Sequence, residues 1–242
     1  MLSKNQIKLI KSLNKKKHRL EHGLFVTEGV KVIKEFLKSS FTLRALYSVA
    51  DIFYIEGGES HIISEKELAK ITNLKTPQTA LAIFEIPKPY QPSENSQLSL
   101  ALDGVRDPGN LGTIIRMCDW FGIQELICSQ DTVDCYNPKV VQATMGSLTR
   151  VNISYTSLED YLFKSSMYKY GAFMEGNNVY KSTLETKNAV IILGNEANGI
   201  SSSTLPYIDE KISIPSYGSS RGAESLNVAM AGAILLGEFK RR

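Results

Sequence analysis

The second half of the chain alternates between short apolar strands and helical segments, and this alternation restricts the fold more than any other feature. Apolar runs occupy residues 98–104, 125–129 and 189–194, and segments with helical spacing lie between them. Strands that alternate with helices build a mostly parallel sheet covered on both faces. The sequence therefore predicts an α/β fold for this half.

Polar residues follow the last two predicted strands. Asn195 and Glu196 come directly after the apolar strand at 189–194, and Ser225 and Asn227 lie between the next strand and the last helix. In an open α/β sheet, ligands bind outside the carboxyl ends of the strands. We therefore expect these residues to form a set of ligand-binding loops.

A second motif begins where the strand at 98–104 ends. Asp107 is expected to cap a helix whose first residue is Pro108. Arg116 lies on the polar side of this helix, together with Asp119. Two interpretations of Arg116 stay open, a surface ion pair with Asp119 or a functional role.

The first part of the chain predicts a small α/β unit. Its signals are a helix over 3–13, a helix with Thr27 as its N-cap, strands at 44–49, 61–63 and 80–86, and a Ser64–Glu67 capping box. A proline-rich stretch then follows, which is typical of a semi-rigid spacer. We predict one domain over 1–90, a linker over 91–97 and a second domain over 98–242.

Composition excludes several classes of protein. No apolar run is long enough to span a membrane, and the lysine-rich N-terminus lacks the apolar core of a signal peptide, so we expect a cytoplasmic protein. Cys118, Cys128 and Cys135 have no C-x-x-C spacing, which argues against disulfides and against a zinc site. They are expected to be ordinary thiols.

The N-terminal stretch is strongly basic. Its cations are Lys4, Lys8, Lys11, Lys15, Lys16, Lys17 and Arg19. Such a patch can follow a phosphate backbone, but a solvated helix face is an equally good interpretation. His18 and His22 have a spacing that could bind a metal, but no third ligand is evident among the lysines. A basic RNA-facing surface or an idle surface is therefore the favoured interpretation, and no metal site is predicted.

Three stretches carry a family resemblance: DPGNLGTIIR, LGNEANGIS and IPSYGSSRGAESLNVAMAGAI. They resemble, in order, the three motifs of the SpoU (TrmH) branch of the SPOUT RNA methyltransferases. Residues 1–90 are similar to the substrate-binding domain that precedes many of these enzymes, a small α/β domain like a ribosomal RNA-binding protein. The chain also has no G-x-G-x-x-G motif after a strand, which disfavours a Rossmann-type methyltransferase.

The resemblance implies a fold, a cofactor and an assembly. It implies a deep trefoil knot in the C-terminal SPOUT domain, binding of S-adenosylmethionine without a metal, and a homodimer with the last helix near the interface. The cofactor-binding residues it implies are Leu193, Gly194, Asn195, Ile214, Pro215, Ser225 and Leu226. Four residues, Ser219 to Gly222, are an insertion relative to the family pattern, and Arg221 within it could reach RNA.

The implied reaction is methyl transfer to a ribose 2′-hydroxyl of RNA. The resemblance places Arg116 at that hydroxyl with Asn110 beside it, and Glu196, Ser225 and Asn227 in support. Arginine is a poor base, so stabilisation of developing alkoxide charge is the easier role for Arg116.

Each supporting residue has a structural alternative. Glu196 could cap the following turn, Ser225 could be the N-cap of the last helix, and Asn227 could bridge loop backbones.

The resemblance favours 23S ribosomal RNA as the target, because the branch that modifies transfer RNA usually lacks the extra domain. A transfer-RNA 2′-O-methyltransferase, a catalytically silent RNA-binding protein and a drug-resistance methyltransferase are the alternatives. The sequence does not identify the nucleotide.

Overall fold

The computed structural model describes residues 2–55, 59–92, 97–218 and 225–242. The chain forms two compact units. Unit 1 comprises Met1–Lys88 with Asp134–Thr149, and unit 2 comprises Pro89–Val133 with Arg150–Arg242. No helix of the described residues is long and apolar enough to cross a membrane.

The N-terminal part of unit 1 is a four-stranded sheet with helices. Its elements are α1 (Lys4–Ser12), α2 (Lys16–His22), β1 (Leu24–Glu28), α3 (Val30–Leu37), β2 (Leu43–Ser48), β3 (Glu59–Ile62), α4 (Glu65–Ile71) and β4 (Ala80–Glu85). The strand order is β1-β4-β2-β3, with β4 antiparallel to both neighbours and β3 parallel to β2. The small α/β unit predicted from the sequence is present.

Capping residues set the ends of the helices in unit 1. The predicted capping box of α4 is confirmed, because the Ser64 hydroxyl accepts from the amide of Glu67 and the Glu67 carboxylate accepts from the amide of Ser64. The prediction that Thr27 caps α3 is wrong. Thr27 is buried inside β1 opposite Ala82, and Gly29, with a φ of 89°, is the N-cap.

The rest of the chain alternates strands and helices as predicted. Its elements are β5 (Leu98–Asp103), α5 (Pro108–Phe121), β6 (Glu125–Ser129), α6 (Pro138–Thr144), β7 (Asn152–Thr156), α7 (Leu158–Lys164), β8 (Tyr168–Asn178), β9 (Ala189–Gly194), β10 (Glu210–Ser213) and α8 (Val228–Lys240). Apart from α6, these elements form unit 2. The order of the six-stranded sheet is β10-β8-β9-β5-β6-β7, and every neighbouring pair is parallel.

Residues 134–149 pack with unit 1, although the sequence pattern predicts them in the second domain. Arg19 explains much of this, because its Nε and Nη2 donate to Asp134 Oδ2 at 3.0 and 2.5 Å. The ring of Tyr136 lies 4.7 Å from that of Phe25, and Val140 and Val141 of α6 are buried. The contacts of α6 therefore follow its side chains rather than its place in the sequence, and the predicted domain boundaries stay a prediction.

The core of unit 2 lies around the central strands β5 and β9, whose side chains are almost completely buried. Helix α8 packs closely there because Gly232 has no side chain. A Cβ at Gly232 would lie 2.9 Å from both Leu193 Cδ1 and Met117 Cε. The three cysteines are buried, and burial raises the pKa of the Cys118 thiol. These thiols are packing groups of the core.

Candidate active site at the carboxyl ends of the parallel strands

A chain of hydrogen bonds joins three of the predicted site residues. Asn227 Nδ2 donates to Asn110 Oδ1 at 2.8 Å, and Asn110 Nδ2 donates to Glu196 Oε1 at 2.7 Å. These residues are far apart in the sequence and belong to three different motifs. The fold therefore brings the motifs together, and this hydrogen-bonded chain is called the Asn–Asn–Glu chain below.

Helix caps hold the two asparagines in place. Asp107 caps α5 as predicted, and its Oδ1 accepts from the amide of Asn110 at 2.8 Å. Asn227 is itself the N-cap of α8, and its Oδ1 accepts from the amides of Ala229 and Met230. The alternative that Ser225 caps this helix is therefore wrong. With its oxygen used by the cap, Asn227 presents its amide nitrogen to Asn110.

Asn195 closes the loop that carries Glu196. Its Oδ1 accepts from the amides of Ala197 and Asn198 at 2.9 and 3.1 Å, and its Nδ2 donates to the Gly104 carbonyl at 2.7 Å. The backbones of Asn195 and Gly199 also pair with each other. Asn195, rather than Glu196, therefore performs the turn-capping role, and the Glu196 carboxylate accepts from Asn110 instead.

Gly194 is required at the start of this loop. A Cβ there would overlap the backbone of Gly199 and Ile200. Because backbone atoms cannot move aside like the end of a flexible side chain, a larger residue would displace the loop that carries Glu196.

Asp103 is a second anchor of this loop, and it was not predicted from the sequence. It is the last residue of β5 and only 8% exposed. Its Oδ2 accepts from both the amide and the hydroxyl of Ser201 at 2.8 Å. A carboxylate at the end of a mainly apolar strand was the available signal, since a buried charge needs partners.

A third polar group fixes the loop after β5. Ser129 Oγ accepts from the Gly104 amide at 2.8 Å and donates to Asp131 Oδ1 at 2.7 Å. Arg106 Nη2 donates to the other oxygen of Asp131 at 2.7 Å. The hydrogen bonds from Ser129 and then Arg106 hold the pKa of the Asp131 carboxyl below its usual range. Arg106, which directly precedes the Asp107 cap, is thus held in place although its side chain is exposed.

Arg116 is exposed on α5 and makes no hydrogen bond or ion pair with any residue that the structure describes. The interpretation that it pairs with Asp119 is wrong, because Asp119 forms a bidentate ion pair with Arg150. The Nε and Nη2 atoms of Arg150 lie 3.0 and 2.9 Å from Asp119 Oδ2. Among the residues that the structure describes, none therefore competes with a ligand for the Arg116 guanidinium.

The residues expected to bind the cofactor lie at the end of β9, directly after β9 and β10, and just before α8; β9 and β10 flank β8 in the sheet. Leu193 is buried, whereas Gly194, Ile214 and Pro215 are half-buried and Leu226 is 46% exposed. Ser225 is exposed. The inserted loop 219–222, including Arg221, lies outside the described residues.

Comparison with known proteins assigns both parts of the chain. The model of the SpoU rRNA methylase family matches residues 97–237, and that of the MRM3-like substrate-binding domain matches residues 4–82. The chain belongs to the SpoU rRNA methylase family. This confirms the resemblance drawn from the three motifs and from the N-terminal domain.

Individual SpoU relatives match along almost the full length. The chain is 31% identical to the Bacillus subtilis 23S rRNA (guanosine(2553)-2′-O)-methyltransferase RlmP, over 97% of this chain and 96% of the relative. An RNA methyltransferase of the TrmH family from Porphyromonas gingivalis has a TM-score of 0.90 at 38% identity, covering 100% and 99% of the two chains. The AdoMet-bound rRNA methyltransferase from Sinorhizobium meliloti has a TM-score of 0.84 at 30% identity, covering 100% and 96%.

Proposed function

We propose that this protein uses S-adenosylmethionine to methylate a ribose 2′-hydroxyl in 23S ribosomal RNA. The observation that carries the proposal is the Asn–Asn–Glu chain, which orders polar groups from three motifs at the carboxyl ends of the strands. The chain favours an enzyme over a catalytically silent RNA-binding protein, because a protein that had lost catalysis would be expected to lose Asn110, Arg116 or Asn227, and all three are present.

The similarity to RlmP supports ribosomal RNA as the substrate, since RlmP is named for that activity and matches along both units. The match of residues 4–82 to a substrate-binding domain supports the same class of target. A transfer-RNA target is the alternative, and it would leave this domain without an explanation.

The residues after β9 and β10 fit the cofactor. Ile214, Pro215 and Leu226 keep apolar surface partly exposed beside a polar loop, which suits a flat apolar base with polar edges. When bound, S-adenosylmethionine supplies an activated methyl group on a positive sulfonium. Gly194 allows the loop to turn closely at this place, while both side-chain polar atoms of Asn195 are used to shape the loop. A direct cofactor contact of the Asn195 side chain stays a prediction.

Arg116 is the residue best suited to the reacting ribose. Its guanidinium presents a planar fork of N–H donors, so it can hold a phosphate and stabilise negative charge that develops on the 2′-oxygen. Glu196 has one carboxylate oxygen fixed by Asn110, which leaves the other oxygen to accept from a ribose hydroxyl. Ser225 and Asn227 support the loop and the cap of α8 next to this position.

A homodimer is part of the proposal. Helices α5 and α8 pack together within unit 2 and still expose apolar side chains, with Trp120 86% and Met230 60% exposed. Large exposed apolar groups on adjacent helices suit a protein interface. The molar mass in solution, measured by light scattering on the protein and on a Met230→Lys variant, tests this assembly.

The trefoil knot and the cytoplasmic location are also proposed. Strand β9 lies between β5 and β8, and α8 returns to pack on α5 and β9. This order is compatible with a chain that passes through an earlier loop. The proposed cytoplasmic location is supported by the similarity to bacterial 23S rRNA methyltransferases such as RlmP.

Mapping of ribose methylation in ribosomal and transfer RNA, from cells with and without the gene, tests the function. We expect one 2′-O-methyl mark in 23S RNA to disappear, and the nucleotide corresponding to the RlmP target is the first to inspect. Purified protein should then restore that mark in vitro on the unmodified RNA with S-adenosylmethionine.

Two other outcomes of the mapping would change the proposal. Loss of marks in transfer RNA alone would keep the chemistry but contradict the ribosomal target. No change in either RNA, together with no methyl transfer in vitro, would contradict the enzymatic proposal.

A further inference from the structure

We propose that helix α2 carries a surface site for a late first-row divalent transition metal such as Zn²⁺, formed by His18, Glu21 and His22. One ligand atom from each of these residues lies within 4.8 Å of the others. In the sequence the two histidines lack an evident third ligand, and the structure supplies it as Glu21. The site is separate from the methyl-transfer chemistry, which needs no metal.

The helix places the three side chains on one face. Residues three and four positions apart are neighbours on a helix surface, and His18, Glu21 and His22 have this spacing. His18 Nδ1 already lies 3.0 Å from Glu21 Oε2, and the two imidazole rings lie 6.4 Å apart. Tetrahedral ligands of zinc are roughly 3.4 Å apart, given bonds of about 2.0–2.1 Å. Small rotations of these three side chains are therefore enough to close the site.

The backbone of α2 is held firmly beneath these side chains. Arg19 is 2% exposed, and its guanidinium contacts Asp134 and also donates to the Leu13 carbonyl at 2.8 Å. Gly23 ends the helix in a left-handed conformation directly after His22. A fixed backbone lowers the ordering cost of binding, because only side-chain rotations remain to be restricted.

The donor set selects the class of metal. Two imidazoles and one carboxylate suit Zn²⁺, Cu²⁺, Ni²⁺ and Co²⁺, whereas Mg²⁺ and Ca²⁺ prefer sites made only of oxygen ligands. Three protein ligands leave at least one coordination position for water.

The exposed Lys15, Lys16 and Lys17 precede the site and oppose a cation. Their repulsion is screened beyond about 8 Å at physiological ionic strength.

Titration of the full chain with Zn²⁺ alone, after removal of metals by a chelator, tests the site. We expect one equivalent to bind, and we expect His18→Asn and His22→Asn each to weaken binding by at least about 10–100-fold, the effect of losing even an outer partner of a ligand. Glu21→Gln should weaken it as well. The chain has three histidines, so His61→Asn is a matched control that should bind like the unaltered protein.

The lysines give a second test. Because added salt screens their repulsion, Zn²⁺ should bind as tightly or more tightly at higher ionic strength, whereas binding to scattered acidic groups would weaken.

The visible absorption of bound Co²⁺ should likewise appear with the unaltered protein and His61→Asn, and be lost in the His18→Asn/His22→Asn double variant. The site would be overturned by absence of Zn²⁺ binding, by binding retained in the double variant, or by loss of binding in His61→Asn. An unchanged affinity in Glu21→Gln would overturn its three-ligand form.

Discussion

Arg19 in unit 1 and Arg116 in unit 2 both lie on helices, but the fold uses them in opposite ways. Arg19 is 2% exposed and fully engaged by Asp134 and the Leu13 carbonyl. Arg116 is exposed and has no partner among the described residues. A buried charge must be paired to be tolerated, while an exposed charge stays hydrated and needs no partner in the fold. The difference separates a structural arginine from one that we propose to be functional.

The largest expected effect comes from Arg19→Ala, which leaves the Asp134 carboxylate without its main cation. Breaking a buried ion pair by removing one partner costs about 3–5 kcal/mol, so unit 1 should lose stability on this scale. Hydrogen exchange resolved by peptide should show faster opening of α2 and α6. Binding of S-adenosylmethionine, a property of unit 2, should be unchanged.

Arg106→Ala is the matched control for Arg19→Ala. Its pair with Asp131 lies on a more exposed surface, with the side chains of Arg106 and Asp131 67% and 51% exposed. Exposed pairs contribute about 0–1 kcal/mol. If both variants lost the same stability, burial would not be what distinguishes Arg19.

Arg116→Ala should abolish most activity without unfolding the protein. Removing one group that stabilises developing negative charge costs about 10²–10³ in kcat. We expect this loss in single-turnover methyl transfer to the target RNA, with cofactor affinity and thermal stability unchanged. Retained turnover would show that Arg116 is a surface charge without a catalytic role, and the contrast with Arg19 would no longer hold.

Much of the site could be predicted because its residues lie in compact motifs. Asp107 at the N-cap of α5, and the polar residues after β9 and before α8, are local signals that survive in the fold. Parallel strands deliver such residues to one edge of a sheet. The Asn–Asn–Glu chain is therefore the structural form of a sequence pattern.

Other features depend on pairings that local patterns do not contain. Helix α2 has one apolar residue, Leu20, which is 66% exposed, so no apolar stripe predicts it. It is anchored instead by Arg19 and Asp134, which are 115 residues apart. Thr27 resembles an N-cap by type, but its position in β1 opposite Ala82 overrides that preference. The positions of helix α2 and of Thr27 are therefore both set by contacts between residues that are far apart in the sequence.

The smallest effect is expected at Asn227, which combines both kinds of role in one side chain. Its Oδ1 caps α8, and its Nδ2 donates to Asn110. An aspartate at this position would still cap the helix but could not donate, so Asn227→Asp should keep stability within a few tenths of a kcal/mol. Loss of one hydrogen bond, worth about 0.5–1.5 kcal/mol, should lower methyl transfer by about 2–10-fold.

Asn227→Ala removes both functions and provides the contrast. It should lower stability by about 0.5–2 kcal/mol through the lost cap, in addition to the loss of activity. Thermal unfolding and single-turnover rates measured on both variants separate the two roles. If Asn227→Asp were fully active, the donor to Asn110 would not matter, and the asparagine would be explained by its cap alone. A loss of activity at unchanged stability would show that a residue can be structural through one atom and functional through another.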